Sequence, residues 1–293
     1  MRSENKNNNK NIFSLCIIIP MISVFFLFHT LPLLKGVMYS FTNFKGFGEF
    51  DFVGLMNYKD LFTDTRILNS YSFTFKFAIC ATIIVNIISL ALAIALNSKI
   101  KFKTTLRGIY FMPNILGGLI VGYIFNYIFT FIIPKLGQSM GIQILSKSIL
   151  GSTELAWVGV LIVASWQAIA FNTIIYISGI QTIPEDVYEA SGLDGANKWT
   201  QFKKMTFPLI APFFTINMVL CMKNFLMVFD QIMSLTGGGP AQSTESISML
   251  IYKAGFGGSQ FGYQSANSVI YFIIIVAISV FQIKVLDKRE VQL

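Results

Sequence analysis

Covalent chemistry needs a nucleophile with a base, or a set of metal ligands, and this chain offers almost none. His29 is the only histidine, so neither a Ser–His–Asp nor a Cys–His relay can be assembled. Cys16, Cys80 and Cys221 lie singly in apolar surroundings without metal-ligand spacing. The run Thr236-Gly237-Gly238-Gly239-Pro240 has no lysine after it and is not a phosphate loop; it reads as a turn ending a helix. No catalytic residue, metal or cofactor is expected, and only a carboxylate-based mechanism stays open to an enzyme. The remaining polar residues suit recognition. Glu189, Ala190, Ser191, Asp194 and Gly195 join two carboxylates to small residues that admit close approach of another surface. Asn217, Lys223, Asn224 and Asp230 place amides and charges inside an apolar run, where such groups face protein or water rather than lipid.

The elements that must position these residues are membrane helices. Of the 293 residues, 54% are hydrophobic and 12% charged, against about 25% charged in soluble domains. The apolar residues come in blocks: 12–34, 77–96, 109–131, 156–180, 209–235 and 265–283. A bilayer core about 30 Å thick needs roughly 20 helical residues. Each block meets that length, and backbone polar groups in lipid must pair within their own segment. The expectation is an all-α, polytopic membrane protein with six transmembrane helices. The first block follows Arg2, Lys6 and Lys10 as a signal peptide would. Its apolar run is too long for one and no small-residue cleavage site follows, so it is read as a retained helix.

The net charge of +8 would suit nucleic acid, but its distribution follows topology. With the N-terminus inside, the cytoplasmic segments carry Arg2, Lys6 and Lys10; Lys99, Lys101, Lys103 and Arg107; Lys198, Lys203 and Lys204; and Lys284, Lys288 and Arg289. The stretch 99–107 is basic without one acid. The positive-inside rule therefore puts both termini on the cytoplasmic side of a cell membrane, with lipid rather than nucleic acid as the partner.

Glu189 to Gly195 then lie in the cytoplasmic connection between the fourth and fifth helices. Pro184 suits a first helical position, and Glu185 and Asp186 suit the positive end of the helix dipole. Gly195 breaks that helix and Asn197 is a candidate cap for the next. There Trp199, Phe202 and Met205 recur every three residues and share a face, and Pro208 closes the segment. A loop resting on the membrane surface would also fit this pattern.

The spacing resembles a known family. Glu189-Ala190-Ser191, three residues, Gly195, nine residues, then Met205-Thr206-Phe207-Pro208 is similar to the E-A-A…G…I-x-L-P pattern in membrane subunits of bacterial binding-protein-dependent ABC importers. Ser191, Met205 and Phe207 depart mildly from it. FDQIMSLTGGGPAQSTE (229–245), GLMNYKDLF (54–62) and PLLKGVMYSFTNF (32–44) resemble the sugar permease branch related to maltose and glycerol-3-phosphate importers. The resemblance implies a type I ABC importer permease that moves a sugar or oligosaccharide with ATP hydrolysed elsewhere. It implies a second permease subunit in a heterodimer, two copies of a cytoplasmic ATPase and an extracytoplasmic sugar-binding protein. It makes Glu189, Ala190, Ser191, Asp194 and Gly195 the ATPase-coupling residues. It divides the chain into residues 1–69 (tail, first helix, outer loop), a permease core 70–284 with coupling loop 181–208, and a tail 285–293.

A polar path fits the helices. The third carries Pro113, Asn114, Gly117, Gly118, Gly122 and Asn126; the fourth Ser165, Gln167, Asn172 and Thr173; the fifth Asn217, Lys223, Asn224, Asp230 and Gln231. On one helix Lys223 and Asp230, seven apart, project from nearly one face ~10 Å apart. They either line a polar cavity or pair with a neighbouring subunit, and Asp230 also suits the outer interface. Gly117 and Gly118 suit helix packing better than ligand contact. A secondary transporter would need an inverted repeat, which six spans do not display.

Overall fold

The computed structural model describes residues 16–97 and 102–286, apart from the side chains of residues 103 and 104. The basic groups at positions 2, 6, 10, 99, 101, 288 and 289, and the side chain at 103, lie outside what is described. Twelve helices are distinguished among the described residues: α1 (Cys16–Tyr39), α2 (Met56–Leu61), α3 (Thr65–Asn97), α4 (Lys103–Ile115), α5 (Gly118–Met140), α6 (Ala156–Gln181), α7 (Glu185–Leu193), α8 (Lys198–Leu209), α9 (Ala211–Leu226), α10 (Asp230–Leu235), α11 (Ile247–Tyr252) and α12 (Phe261–Leu286). An isolated bridge, Thr42 to Phe52, is the sole β pairing there.

Five helices, α1, α3, α5, α6 and α12, are long and apolar enough to cross a membrane. The sixth expected span is α9, too short alone, joined to α8 through a 68° bend at Ile210 and continued by α10. The architecture is all-α, as composition requires. Two blocks are nevertheless cut where one helix was expected. The third ends at Ile115 and restarts at Gly118, because Leu116 and Gly117 take extended backbone, ψ 134° and 139°. Gly117 has little preference for a helix and Pro113 already lacks its donor. The freed carbonyl of Leu116 accepts from Gln167 Nε2 at 2.7 Å, which keeps it paired at the break. The fifth breaks over residues 227–229, where no glycine or proline warns of it; the Val228 carbonyl accepts Ser246 Oγ at 2.8 Å. Pro208 stands one residue before the end of α8 at Leu209, and the 68° bend follows directly after it.

The described residues cluster into two compact units. One takes the residues up to Thr63 together with Ile251–Tyr271. In it the α1 exit is clasped by α2: Asn57 Nδ2 donates to the carbonyls of Ser40 (2.8 Å) and Thr42 (2.9 Å), and Ser40 Oγ meets Tyr58 OH at 2.7 Å. Gly262 N donates to Phe44 O at 2.7 Å, and a β-carbon at Gly262 would collide with the Thr42 carbonyl. The segments 32–44 and 54–62, singled out in the sequence, thus meet each other. None of the apolar window of α1 is buried within the chain.

The other unit, Asp64–Leu250 with residues from Phe272 on, holds the packed bundle. Here α3 lies along α6. Phe77, Ala78, Ala81, Val85 and Ala93 of α3 are buried, as are Val160, Val163 and Ala164 of α6. Lipid is as apolar as these side chains, so close van der Waals packing of small residues holds the pair, not exclusion from water. The two helices run parallel. Their C-terminal ends meet at one end of the bundle, where Ala93, Tyr176, Ile177, Ile180, Ile183 and Ile210 form a buried core. Their N-terminal ends meet at the other.

Candidate functional site

The first candidate site is the connection 181–208. Its stem is fixed to the bundle: Val187 and Tyr188 of α7 pack on the core at Ile177, Ile180 and Ile210. Tyr188 OH meets Thr206 Oγ1 at 3.0 Å, and Gln201 Nε2 donates to Ser191 Oγ at 2.9 Å and to Tyr188 O at 3.3 Å. Pro184 stands one place earlier than expected, as the N-cap of α7. Asn197 caps α8 by accepting from Thr200 N at 2.8 Å. Trp199 and Phe202 meet in a tilted ring pair with centroids 5.6 Å apart, followed by a wide π-helical turn over Phe202–Thr206.

Gly195 ends α7 in a particular way. Ala196 N donates to Ser191 O (3.0 Å) and Gly195 N to Gly192 O (3.1 Å), with Gly195 at φ +77°. This paired arrangement is the Schellman turn, and it needs the left-handed backbone that glycine adopts freely. A β-carbon at Gly195 would meet nothing within 4 Å, so the requirement is conformational, not steric.

The five residues expected to act together divide. Glu189, Ala190, Asp194 and Gly195 are exposed. Glu189 makes no hydrogen bond or ion pair with another described residue. Ser191 is turned inward, 2% exposed, donating to Tyr188 O at 2.8 Å; it braces the loop rather than presenting an oxygen. Leu193, which sequence reasoning passed over, is 91% exposed between Gly192 and Asp194. The available signal was one large apolar residue in a small and charged stretch.

The second candidate site is the polar set within the helices, and the structure separates its members. Asn217 is fully buried in the bundle, donating to Asn172 O at 3.2 Å. Near it Tyr176 OH donates to Asn86 Oδ1 at 2.6 Å, and Asn86 Nδ2 donates to Thr82 O at 2.8 Å. The Asn217 and Asn172 Oδ1 atoms and Thr173 Oγ1 are buried with no hydrogen-bond partner among the described residues. Lys223, Asn224 and Asp230 are instead exposed on the chain's surface. The helix break at 227–229 lies between Lys223 and Asp230, so their spacing of seven no longer places them on one helical face.

Asp230 and Gln231 belong to a contact between α10 and α5. Gly118, Gly122 and Asn126 recur every four residues on α5 and form one stripe. A β-carbon at Gly118 would come 2.9 Å from Asp230 Cβ, and one at Gly122 would collide with Ser234 Oγ. Asn126 Nδ2 donates to Leu235 O at 2.6 Å. Gly118 is thus a packing residue, as expected; Gly117 meets only Ile120 and serves the break. Gln231 Nε2 donates to Gln167 Oε1 (2.9 Å), which ties α10 to α6 and, through Leu116 O, to the gap before α5.

At the opposite end of the bundle the glycine run 237–239 is more than a stop. Thr244 Oγ1 donates to Gly239 O (2.7 Å) and meets Thr236 Oγ1 (2.8 Å). Glu245, 2% exposed, takes a two-pronged ion pair from Arg66, Nε to Oε2 at 2.8 Å and Nη2 to Oε1 at 2.9 Å. The loop is thereby pinned to the start of α3. Among the described residues no cluster of three or more His, Cys, Asp or Glu could hold a metal ion.

The described residues form a rigidly held, charged and apolar knob at one end of a helical bundle, and place polar groups through its length. Residues 86–291 match the family described as "Binding-protein-dependent transport system inner membrane component". The chain is 38% identical over 263 residues, 90% of each chain, to the "Probable starch degradation products transport system permease protein AmyD" of Thermoanaerobacterium thermosulfurigenes. It is 39% identical over 278 residues, 94% of this chain and 95% of the other, to the "Multiple sugar-binding transport system permease protein MsmF" of Streptococcus mutans. Its fold matches a chain of a bacterial ABC transporter involved in the import of the acidic polysaccharide alginate, with TM-score 0.83, 18% identity, and coverage of 97% of this chain and 98% of that one. Membrane-length helices, an anchored interhelical loop and these likenesses lead to one conclusion: the chain belongs to the binding-protein-dependent transport system inner membrane components, and is a multi-pass membrane permease of an ABC-type importer.

Proposed function

We propose that the chain forms one half of a heterodimeric path that imports a neutral sugar or oligosaccharide, driven by two copies of a separate ATPase and fed by an extracytoplasmic sugar-binding protein. The observation that carries this reading is the knob of α7. Its stem is locked into the bundle core while Glu189, Leu193 and Asp194 stand out at its tip. A connector with no partner has no need to hold Leu193 in water on a braced helix. A second protein with a groove and a basic rim would cover the leucine and pair the carboxylates. Movement of that protein would pass through Tyr188 into the ends of α3 and α6. The names of the relatives above support a carbohydrate as cargo. We retain residues 1–69, 70–284 and 285–293 as the functional divisions, and the exposed Lys223, Asn224 and Asp230 as groups that face the path or the second permease. Asn217, by contrast, sits between helices and is read as part of the bundle's internal polar packing.

The test is transport by the whole assembly. The two permeases, the ATPase and the binding protein in proteoliposomes should hydrolyse ATP faster when the sugar-loaded binding protein is present, and accumulate that sugar. Sugar accumulation unaffected by removal of ATP would refute the reading.

The orientation follows from the same proposal, with the end bearing α7 in the cytoplasm. Single cysteines at Phe52 (78% exposed) and Ile144 (90% exposed) should react with an impermeant thiol reagent in intact cells. A cysteine at Leu193 should react only after the membrane is opened. Outside labelling at Leu193 would reverse the topology.

A further inference from the structure

We propose that the groove between the N-terminal ends of α3 and α6 is a separate carbohydrate subsite, which receives a neutral oligosaccharide by its hydroxyls at the outward end of the permease. The sugar class rests on the import reading above; the site rests on its own geometry. Asn69, Ser72 and Lys76 are exposed and spaced so that they share a face of α3. That face lines a cavity of about 410 Å³, closed on the other side by Glu154 and Trp157 of the α6 entry and at the rim by Ser243. A neighbouring cavity of about 190 Å³ shares Asn69 and Ser243. The larger volume lies within the roughly 300–1,000 Å³ of small-molecule sites.

The chemistry of the lining selects the ligand. Amide, hydroxyl, ammonium and carboxylate alternate donors with acceptors, the pattern that sugar hydroxyls match. Lys76 Nζ stands 4.3 Å over the Trp157 ring, so the ring face positions the ammonium. Neither Lys76 nor Glu154 forms an ion pair with another described residue. One ammonium and one carboxylate balance in charge, so the groove favours neither an anion nor a cation and leaves hydrogen bonding to select the ligand. Ser243 Oγ is buried without a hydrogen-bond partner among the described residues, a cost that turning this side chain into the groove onto a ligand hydroxyl would remove. The glycine-rich turn acquires a purpose here. Its hydrogen bonds and the Arg66–Glu245 pair hold Ser243 at the rim.

Protection of a thiol at the groove tests the proposal in the full permease–ATPase complex in vesicles, without the binding protein. Ser72→Cys is introduced in a chain whose Cys16, Cys80 and Cys221 are replaced. Its alkylation rate is followed against maltotriose, trehalose and sucrose, and uptake of each is measured in vesicles supplied with binding protein. The sugar that is taken up should slow alkylation severalfold and saturably. Glu154→Gln in the same background should raise the concentration needed about tenfold. Uptake of a sugar that leaves the alkylation rate unchanged, or protection indifferent to Glu154→Gln, overturns the subsite while import stands. Protection without uptake keeps the subsite and overturns import. Neither uptake nor protection with any of the three removes both.

Discussion

Gly122→Ala is expected to destabilise the permease and reduce uptake severely, and Ser234→Gly in the same chain is expected to restore both. The added methyl of Gly122→Ala would occupy the place of the Ser234 hydroxyl and lie 2.6 Å from its β-carbon, at the centre of the α5–α10 contact. Overpacking at such a contact costs about 1–3 kcal/mol. No hydrophobic force pushes these helices back together in lipid, so the loss falls directly on close packing. The same contact carries the Asn126 bond to Leu235 O and holds Gln231 against Gln167. Displacing α10 therefore leaves several partly buried polar groups unpaired at once. Ser234→Gly removes both offending atoms, whereas Ser234→Ala removes only the hydroxyl and should rescue less. Thermal stability in detergent and uptake at matched expression measure the outcome. A Gly122→Ala chain with unchanged melting temperature and transport would show that α10 does not pack as described.

The second large effect concerns coupling. Glu189→Lys should leave the permease inserted and as stable as before, because Glu189 contacts no other described residue through a hydrogen bond or ion pair. It should nevertheless lose most of its co-purifying ATPase. A charge-assisted hydrogen bond is worth roughly 1.5–3 kcal/mol, and reversing the charge adds repulsion, so association falls by at least about tenfold. Gly195→Val should act by another route. At φ +77° a β-branched residue is strained, and the Schellman turn that aims the tip of α7 would be lost. Its expected signature is partial retention of the ATPase with sugar-stimulated hydrolysis disconnected from uptake. The control is Gly192→Ala, which is helical and has open space for a β-carbon, and should be silent. Full association and coupled uptake in both Glu189→Lys and Gly195→Val would return the loop to a membrane-surface connector.

What the sequence determined was set by local rules. Apolar blocks of bilayer length produce helices, because no other structure pairs the backbone in lipid. Pro184, Gly195 and Asn197 mark α7 and the start of α8 to within one residue, because capping and left-handed turns depend on only a few neighbouring groups. One histidine and three scattered cysteines disfavoured relay catalysis before any fold was known. The tertiary structure decided what depends on distant partners. The break at 227–229 contains no helix breaker; it is sustained by Ser246, eighteen residues on, accepting the role of donor to the Val228 carbonyl. That break took Lys223 and Asp230 off a shared face, which no periodicity could foretell. Ser191 and Ala190 are adjacent and both small, yet one is buried and one exposed, because Gln201 of α8 reaches only the Ser191 side of α7. Gly117 and Gly118 read as packing residues from sequence, but only Gly118 packs, together with Gly122, and their partner was invisible until α10 was placed against them. Helix formation is a contract among neighbours in the chain; burial and pairing are fixed by what another segment brings to the same few ångströms.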